Sequence, residues 1–194
     1  MTRPRIAILI SGTGTNMDAI VRACISGELE ADVTFVGSDR ASAKGLATAT
    51  TLGMQTRVFS YKDNGREICE KQIAETIDLT GTNWIVLAGF MRILSEQFVH
   101  KYKGRIINIH PALLPLFPGA HGILDAWNAG VQETGVTVHL VDEKVDHGPI
   151  LAQETVKRNS DDTIETLEAK IHKTEHKLYK QALKDFFAQN PINH

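Results

Sequence analysis

The sequence predicts an α/β fold: one domain spanning residues 1–194, built on a doubly wound, mostly parallel sheet and closed by a long C-terminal helix. Three observations predict it. Short β-rich runs alternate with stretches of helical period. Two of those runs, RIAILI and WIVLAG, are nearly all apolar, which suits central parallel strands covered on both faces. Near the C-terminus, apolar residues at Ile164, Leu167, Ile171, Leu178, Ala182 and Phe186 form a helical stripe.

The first apolar run, residues 5–10, stops at Ile10 and lacks the small-residue cleavage site of a signal peptide, so it reads as a strand. A glycine-rich turn, SGTGTN, leads into a helix over 15–26. Strands over 33–38 and 56–60 follow, separated by a helix over 43–52. A helix over 65–79 precedes the strand at 84–89, and a short helix over 95–100 precedes the strand at 105–110. The stretch 111–122 is rich in Pro and Gly and separates this regular half from a less regular one. Strands over 137–142 and 150–156 come next, with Gly148-Pro149 turning the chain between them. Asp162, with Glu165 three residues on, suits a capping box at the start of the last helix. Glu175 falls on the apolar stripe of that helix, either reaching water or a lysine at the margin or looking into a cleft.

Composition narrows the function. The chain of 194 residues is 42% hydrophobic and 23% charged, with a formal net charge of −2. That balance argues against a dedicated nucleic-acid binder or a membrane-surface protein. No stretch approaches the roughly 20 apolar residues of a membrane helix. The two cysteines, Cys24 and Cys69, form no framework, which fits a reducing, cytoplasmic setting.

Several segments carry candidate chemistry. The turn at Gly14, Thr15 and Asn16 has GxGxxM spacing, without the third glycine of a dinucleotide fingerprint and without a GxxxxGK[ST] loop. It is either a plain tight turn or a cradle for a phosphate monoester at a helix N-terminus. In RIINIHPALLPLFPG, Asn108 and His110 are two apart on a strand and share a face, and Pro111 ends the strand. They sit where open α/β sheets bind ligands, able to donate to a developing oxyanion or simply to satisfy loop carbonyls. Leu114-Pro115, in a loop with three prolines, is expected to be cis. The acidic loop VDEKVDHGPI holds Asp142, Glu143 and Asp146, and a carboxylate brought against His110 would favour its charged form. For Asp142 and Glu143 a solvated hairpin is the preferred reading. His121, His139 and His147 lack metal-ligand spacing, and His139 reads as a satisfied half-buried residue. GFMRIL suits a flat heteroaromatic ligand, or core, and Arg92 and Arg66 are placed to reach a carboxylate tail.

Taken together, IAILISGTGTNMDAI, SDRASAKGLATATTLGM, VLAGFMRILS, IINIHPALLP, GVTVHLVDEKVDHGPILAQ and TEHKLY resemble the glycinamide ribonucleotide formyltransferases of purine biosynthesis. The pair N-x-H-P and a later D-x-G-P resembles the wider group that uses 10-formyltetrahydrofolate. The resemblance implies a Rossmann-like formyltransferase domain and direct formyl transfer to the amine of the ribonucleotide. It implies a catalytic set of Asn108, His110 and Asp146. It assigns Gly14, Thr15 and Asn16 to the substrate phosphate, and His172, Lys173, Thr174 and Glu175 to the ribose and amine side. It assigns Arg66, Met91, Arg92, Ile93, Leu94 and the run Asp142, Glu143, Lys144, Val145, Asp146, together with Asn108, to folate. The implied partners are small molecules, with 10-formyltetrahydrofolate as cosubstrate, no metal, no nucleic acid and no membrane, in a monomer or weak homodimer. Ala112, Leu116 and His147 depart from residues common in the family.

Four rivals stand beside this reading. They are formylation of another amine such as an amino sugar nucleotide, a sensor that kept the fold and lost turnover, a formyltetrahydrofolate deformylase, which would carry His-His where this sequence has His110-Pro111, and a methionyl-tRNA formyltransferase, which would carry a further RNA-binding domain. The intact Asn108, His110 and Asp146 set speaks against the sensor.

Overall fold

A computed structural model describes residues 2–192; Met1, Asn193 and His194, at the ends of the predicted 1–194 unit, lie outside the described residues. Seven strands form one sheet in the order β3-β2-β1-β4-β5-β6-β7. The strands are β1 (Arg5–Ile10), β2 (Asp32–Ser38), β3 (Thr56–Val58), β4 (Trp84–Leu87), β5 (Ile106–His110), β6 (Glu133–Leu140) and β7 (Ile150–Lys157). The helices are α1 (Thr15–Ser26), α2 (Lys44–Thr51), α3 (Tyr61–Thr80), α4 (Glu96–Lys101), α5 (Gly122–Asn128) and α6 (Ile164–Gln189). The first five strands pair in parallel, and β6 and β7 add antiparallel.

The alternation of β1 divides the core. Ile6, Ile8 and Ile10 join Met17, Ile20, Leu167, Leu178 and Phe186 on one face, and Ala7 and Leu9 join Ile73, Ile77, Phe98 and Val99 on the other. α6 is anchored where the parallel strands meet: the buried Tyr179 hydroxyl donates to the Leu87 and Ile107 carbonyls, 3.0 Å from each. The side chains of α6 therefore hold a fixed position over the carboxyl ends of β1, β4 and β5, where the cleft opens.

Four local expectations change. β6 starts at Glu133 rather than 137 and ends at Leu140. Gly135 weakens the strand pattern, but a Cβ there would meet the Glu154 carbonyl at 2.2 Å and Leu113 at 2.6 Å, so close packing requires glycine. The cap of α6 is Thr163, reciprocated by Thr166, instead of Asp162 with Glu165. The Asp162 carboxylate is taken by the Asn159 N–H, the Thr166 hydroxyl and the Lys170 ammonium. α3 begins at Tyr61, and the expected start at Gly65 marks a break inside it, with φ at 76°. α5 has seven residues and no side-chain cap, too little pattern to announce itself. The expected cis peptide at Leu114-Pro115 is present.

Candidate active site

β1 delivers the chain into Ser11 and the glycine turn. Gly14, with φ at 72° and ψ at 32°, is the N-cap of α1 and offers no side chain to the first helical N–H groups. The turn forms one wall of a cleft of about 380 Å3, whose opposite walls are Gly89 and Met91 after β4, Ile109 and Pro111 around β5, and His172 and Glu175 on α6. Asn16 is 8% exposed and lines this cleft, and its Oδ1 is buried without a hydrogen-bond partner. An orphaned acceptor of this kind costs about 1–3 kcal/mol unless a ligand satisfies it.

Behind the cleft lies a buried polar cluster. Asn108 and His139 are cross-strand partners in the antiparallel β5–β6 pair, so their side chains share a face and meet at 3.2 Å. His139 Nδ1 donates to the Leu140 carbonyl at 2.9 Å. Its Nε2 therefore accepts from the Asn108 amide when the ring is neutral and faces Asp146 Oδ1, 3.6 Å away, when it is charged. His110, 4% exposed, donates Nε2–H to the Phe117 carbonyl at 2.7 Å and turns Nδ1 toward Asp146 Oδ2 at 3.4 Å. Burial works against the Asp146 charge. The His139 side chain, the Gly119 N–H at 2.8 Å and the positive charge of His110 and His139 outweigh it and hold the carboxyl below the ordinary aspartate value. Asn108, His110 and Asp146 are thus brought together, adjoining the cleft through Ile109 and Pro111 rather than lining it.

The loop after β5 is fixed by Thr137, the register partner of His110. Its hydroxyl donates to the Ala112 carbonyl at 2.6 Å and accepts from the Leu114 N–H and the Gln153 amide. Gly122 packs against His110 closely enough that a Cβ would come within 3.0 Å of Nε2.

On α6, His172 and Glu175 are three apart and share the cleft-facing side. His172 Nδ1 lies 2.7 Å from Glu175 Oε2, and Nε2 lies 3.5 Å from Glu168. The Glu175 carboxylate raises the His172 pKa above the ordinary histidine value, against partial desolvation. A raised value means that the contribution of His172 protonation is fully present just below the free-histidine pKa and is lost as pH climbs through the raised one. In an NMR titration, His172 is expected to lose its proton at a higher pH than free histidine, and Glu175→Gln to bring that midpoint down. An unmoved midpoint in the variant would show that the pair is not formed in solution. Glu175 itself is 5% exposed, so it looks into the cleft instead of reaching water. Lys173 is exposed and the Thr174 hydroxyl donates to the Lys170 carbonyl, so neither side chain lines the cleft.

Of the residues matched to folate, Asn108 and Asp146 belong to the cluster, Arg66 lies in α3, and the others lie on the loops after β4 and β6. Met91 and Ile93 are exposed and Leu94 is buried. The Met91 N–H donates to Ser11 Oγ, tying this loop to the glycine turn. Arg92 is engaged internally: its Nε lies 2.6 Å from buried Asp39 and its guanidinium stacks over Tyr61. Arg66 is exposed just after the Gly65 break, the freer of the two for a carboxylate tail. Asp142 accepts from the Lys144 N–H and pairs with His147 at 2.7 Å, while Glu143, Lys144 and Val145 are exposed. Among the described residues no group of His, Cys, Asp and Glu is arranged to hold a metal ion, and no helix is long and apolar enough to cross a membrane.

Two site residues escape the sequence reading. His139 is 1% exposed and bridges Asn108 and Asp146, a role visible only once β6 is paired with β5 in register. Arg40, after β2, lines the cleft.

Residues 4–183 match the formyl transferase family. The phosphoribosylglycinamide formyltransferase of Bacillus subtilis is 37% identical over 187 residues, covering 96% of each chain. The trifunctional purine biosynthetic protein adenosine-3 of Drosophila melanogaster is 42% identical over 184 residues, and the chain spans 14% of that protein's length. The crystal structure of phosphoribosylglycinamide formyltransferase from Brucella melitensis matches with a TM-score of 0.91 at 48% identity, covering 96% of this chain and 97% of that one. With that coverage, and with the predicted sheet and C-terminal helix in place, the chain belongs to the formyl transferase family, in its phosphoribosylglycinamide formyltransferase branch.

Proposed function

We propose that this chain, acting as a single cytoplasmic formyltransferase domain, moves the formyl group of 10-formyltetrahydrofolate to the amine of N1-(5-phosphoribosyl)glycinamide. The observation that carries the reading is the buried Asn108–His139–Asp146–His110 cluster beside a cleft that has a glycine turn at one wall and Glu175 at another. The glycine turn suits the phosphate, and the buried carboxylate of Glu175 suits the amine end.

The neutral amine attacks the formyl carbon, a C–N bond forms, and the formyl oxygen becomes an oxyanion. Asn108 Nδ2–H and His110 stabilise that charge. For Nε2–H of His110 to reach the oxyanion, the Phe117 carbonyl has to release it. Asp146 keeps a negative charge opposite His110 and, through water, assists transfer of the proton from the attacking nitrogen to N10 as the N10–C bond breaks. Holding the two substrates in line supplies further acceleration. The deciding experiment is an absorbance assay for the folate product with the ribonucleotide as acceptor. Turnover with an amino sugar nucleotide and none with the ribonucleotide would overturn the substrate assignment.

Arg66 is proposed to meet the glutamate tail of the folate at the exposed end of its site. Arg66→Ala is expected to weaken folate binding by about fivefold or less, the scale of an exposed ion pair. Equal affinity of the wild-type enzyme for folates with and without the glutamate tail, measured by fluorescence titration, would remove Arg66 from the site.

A further inference from the structure

We propose that Arg40 is the cation that neutralises the acceptor's phosphate, a role that rests on the phosphate reading of the Gly14–Asn16 turn. A phosphate monoester carries about −1.5 to −2 charges at neutral pH, while a helix N-terminus offers only about half a positive charge. The cleft needs a further cation, and among its lining residues Arg40 is the only lysine or arginine. The other basic side chain there, His172, faces Glu175 at 2.7 Å.

The fold puts Arg40 at the lip of the turn. β1 and β2 are parallel neighbours with Ile10 level with Ser38, so Gly12 and Arg40 leave the sheet side by side, each two residues further on. The Gly45 N–H donates to the Gly12 carbonyl at 3.0 Å, locking the start of α2, and with it the short loop that carries Arg40, to the glycine turn. The first turn of α2 and the glycine turn pack glycine on glycine: a Cβ on Gly45 would lie 3.0 Å from Gly14 Cα and 2.5 Å from Ile10 Cδ1.

The guanidinium is oriented but not consumed. Its Nε lies 3.4 Å from Asp39 Oδ1, and its two terminal amino groups have no protein partner among the described residues. The other oxygen of Asp39 is held by Arg92 at 2.6 Å. One buried carboxylate therefore serves two arginines, leaving one net positive charge beside the cleft. Burial opposes the Asp39 charge, and Ser11, Arg92 and Arg40 together hold its pKa below the ordinary value, so the carboxylate is charged at neutral pH. The orphaned Asn16 Oδ1 in the same cleft is the independent sign that a ligand completes this wall. It accepts from a ribose hydroxyl or, with the amide turned, lets Nδ2 donate to the phosphate.

Steady-state kinetics of the intact enzyme test the assignment, using the ribonucleotide, the same acceptor without its phosphate, and inorganic phosphate as competitive inhibitor. Arg40→Ala is expected to raise the ribonucleotide KM by about 10- to 100-fold, the scale of a hydrogen bond to a charged group, with the larger part of the loss in KM. Inhibition by inorganic phosphate should weaken by a similar factor, the KM for the dephosphorylated acceptor should stay in place, and Arg40→Lys should recover most of the loss. A parallel rise in both acceptors' KM would make Arg40 a structural residue and overturn the proposal, as would an unmoved ribonucleotide KM. Equal KM values for the two acceptors in the wild-type enzyme would instead overturn the phosphate turn itself, and Arg40 with it.

Discussion

Asp146→Asn is expected to lower turnover by about three orders of magnitude or more, the combined scale of a lost proton transfer and a weakened oxyanion site. The substitution keeps the shape. Asp146 has φ at 50°, a left-handed conformation that Asn adopts as readily as Asp. The Asn oxygen can still accept from the Gly119 N–H. What disappears is the negative charge facing His110 Nδ1 at 3.4 Å and His139 Nε2 at 3.6 Å. With Nε2–H donated to the Phe117 carbonyl and Nδ1 turned to a carboxylate, the imidazolium is the form of His110 in which both nitrogens donate. The depressed pKa of Asp146 fixes the pH argument. Its charge is present above the ordinary aspartate value and is lost only as pH falls through the lowered one. The acid limb of the wild-type activity profile therefore belongs to the attacking amine, which must be neutral to attack. Turnover of Asp146→Asn within tenfold of the wild type, with the ribonucleotide KM unchanged, would show that Asp146 is a loop carboxylate outside the catalytic set.

Much of this arrangement is legible in local pattern. RIAILI and WIVLAG are buried on both faces because parallel strands carry helices on both sides, and an unbroken apolar run is the direct mark of that. Asn108 and His110 are readable as a pair because a strand repeats its faces every two residues and Pro111 ends the strand there. Glu175 is readable as anomalous because it stands in an apolar stripe, and the structure places it in the cleft with His172.

The less legible parts depend on contacts distant in sequence. His139 becomes a site residue through the antiparallel register of β6 on β5, which no period in TVHLV encodes. Arg92 looks free for a ligand in GFMRIL, but Asp39 arrives from the end of β2, 53 residues away, and engages it. Arg40 is passed over for the same reason: its place in the cleft wall depends on the Gly45–Gly12 hydrogen bond that ties the start of α2 to the glycine turn, not on any motif around it. The N-cap of α6 shifts by one residue because Lys170 and Asn159 compete for Asp162, a contest between local hydrogen bonds that the capping pattern alone does not decide.

Gly14→Val is expected to raise the ribonucleotide KM by about 100-fold, the cost of misplacing a binding group by about an ångström. Two effects act together. Gly14 has φ at 72°, where a β-branched residue is a genuine outlier, at about 1–3 kcal/mol of strain. Its new Cβ would lie 3.0 Å from Met17 Cε and 3.0 Å from Gly45 Cα. The methionine end can swing away, but Gly45 lies in the first turn of α2, so its backbone can yield only if the start of that helix moves. The glycine turn is therefore the part that shifts, and with it the N–H groups at the start of α1. The folate loops start from β4 and β6, and the first meets this turn at Ser11, whose N–H donates to the Gly89 carbonyl and whose hydroxyl accepts from the Met91 N–H; Ser11 lies three residues before Gly14, so the folate KM should stay within about twofold. Steady-state KM values for both substrates, with thermal unfolding of the same preparation and the milder Gly14→Ala alongside, separate a moved turn from a loosened fold. A folate KM that rises as much as the ribonucleotide KM, in a variant that still unfolds cooperatively, would mean that the glycine turn does not bind the phosphate.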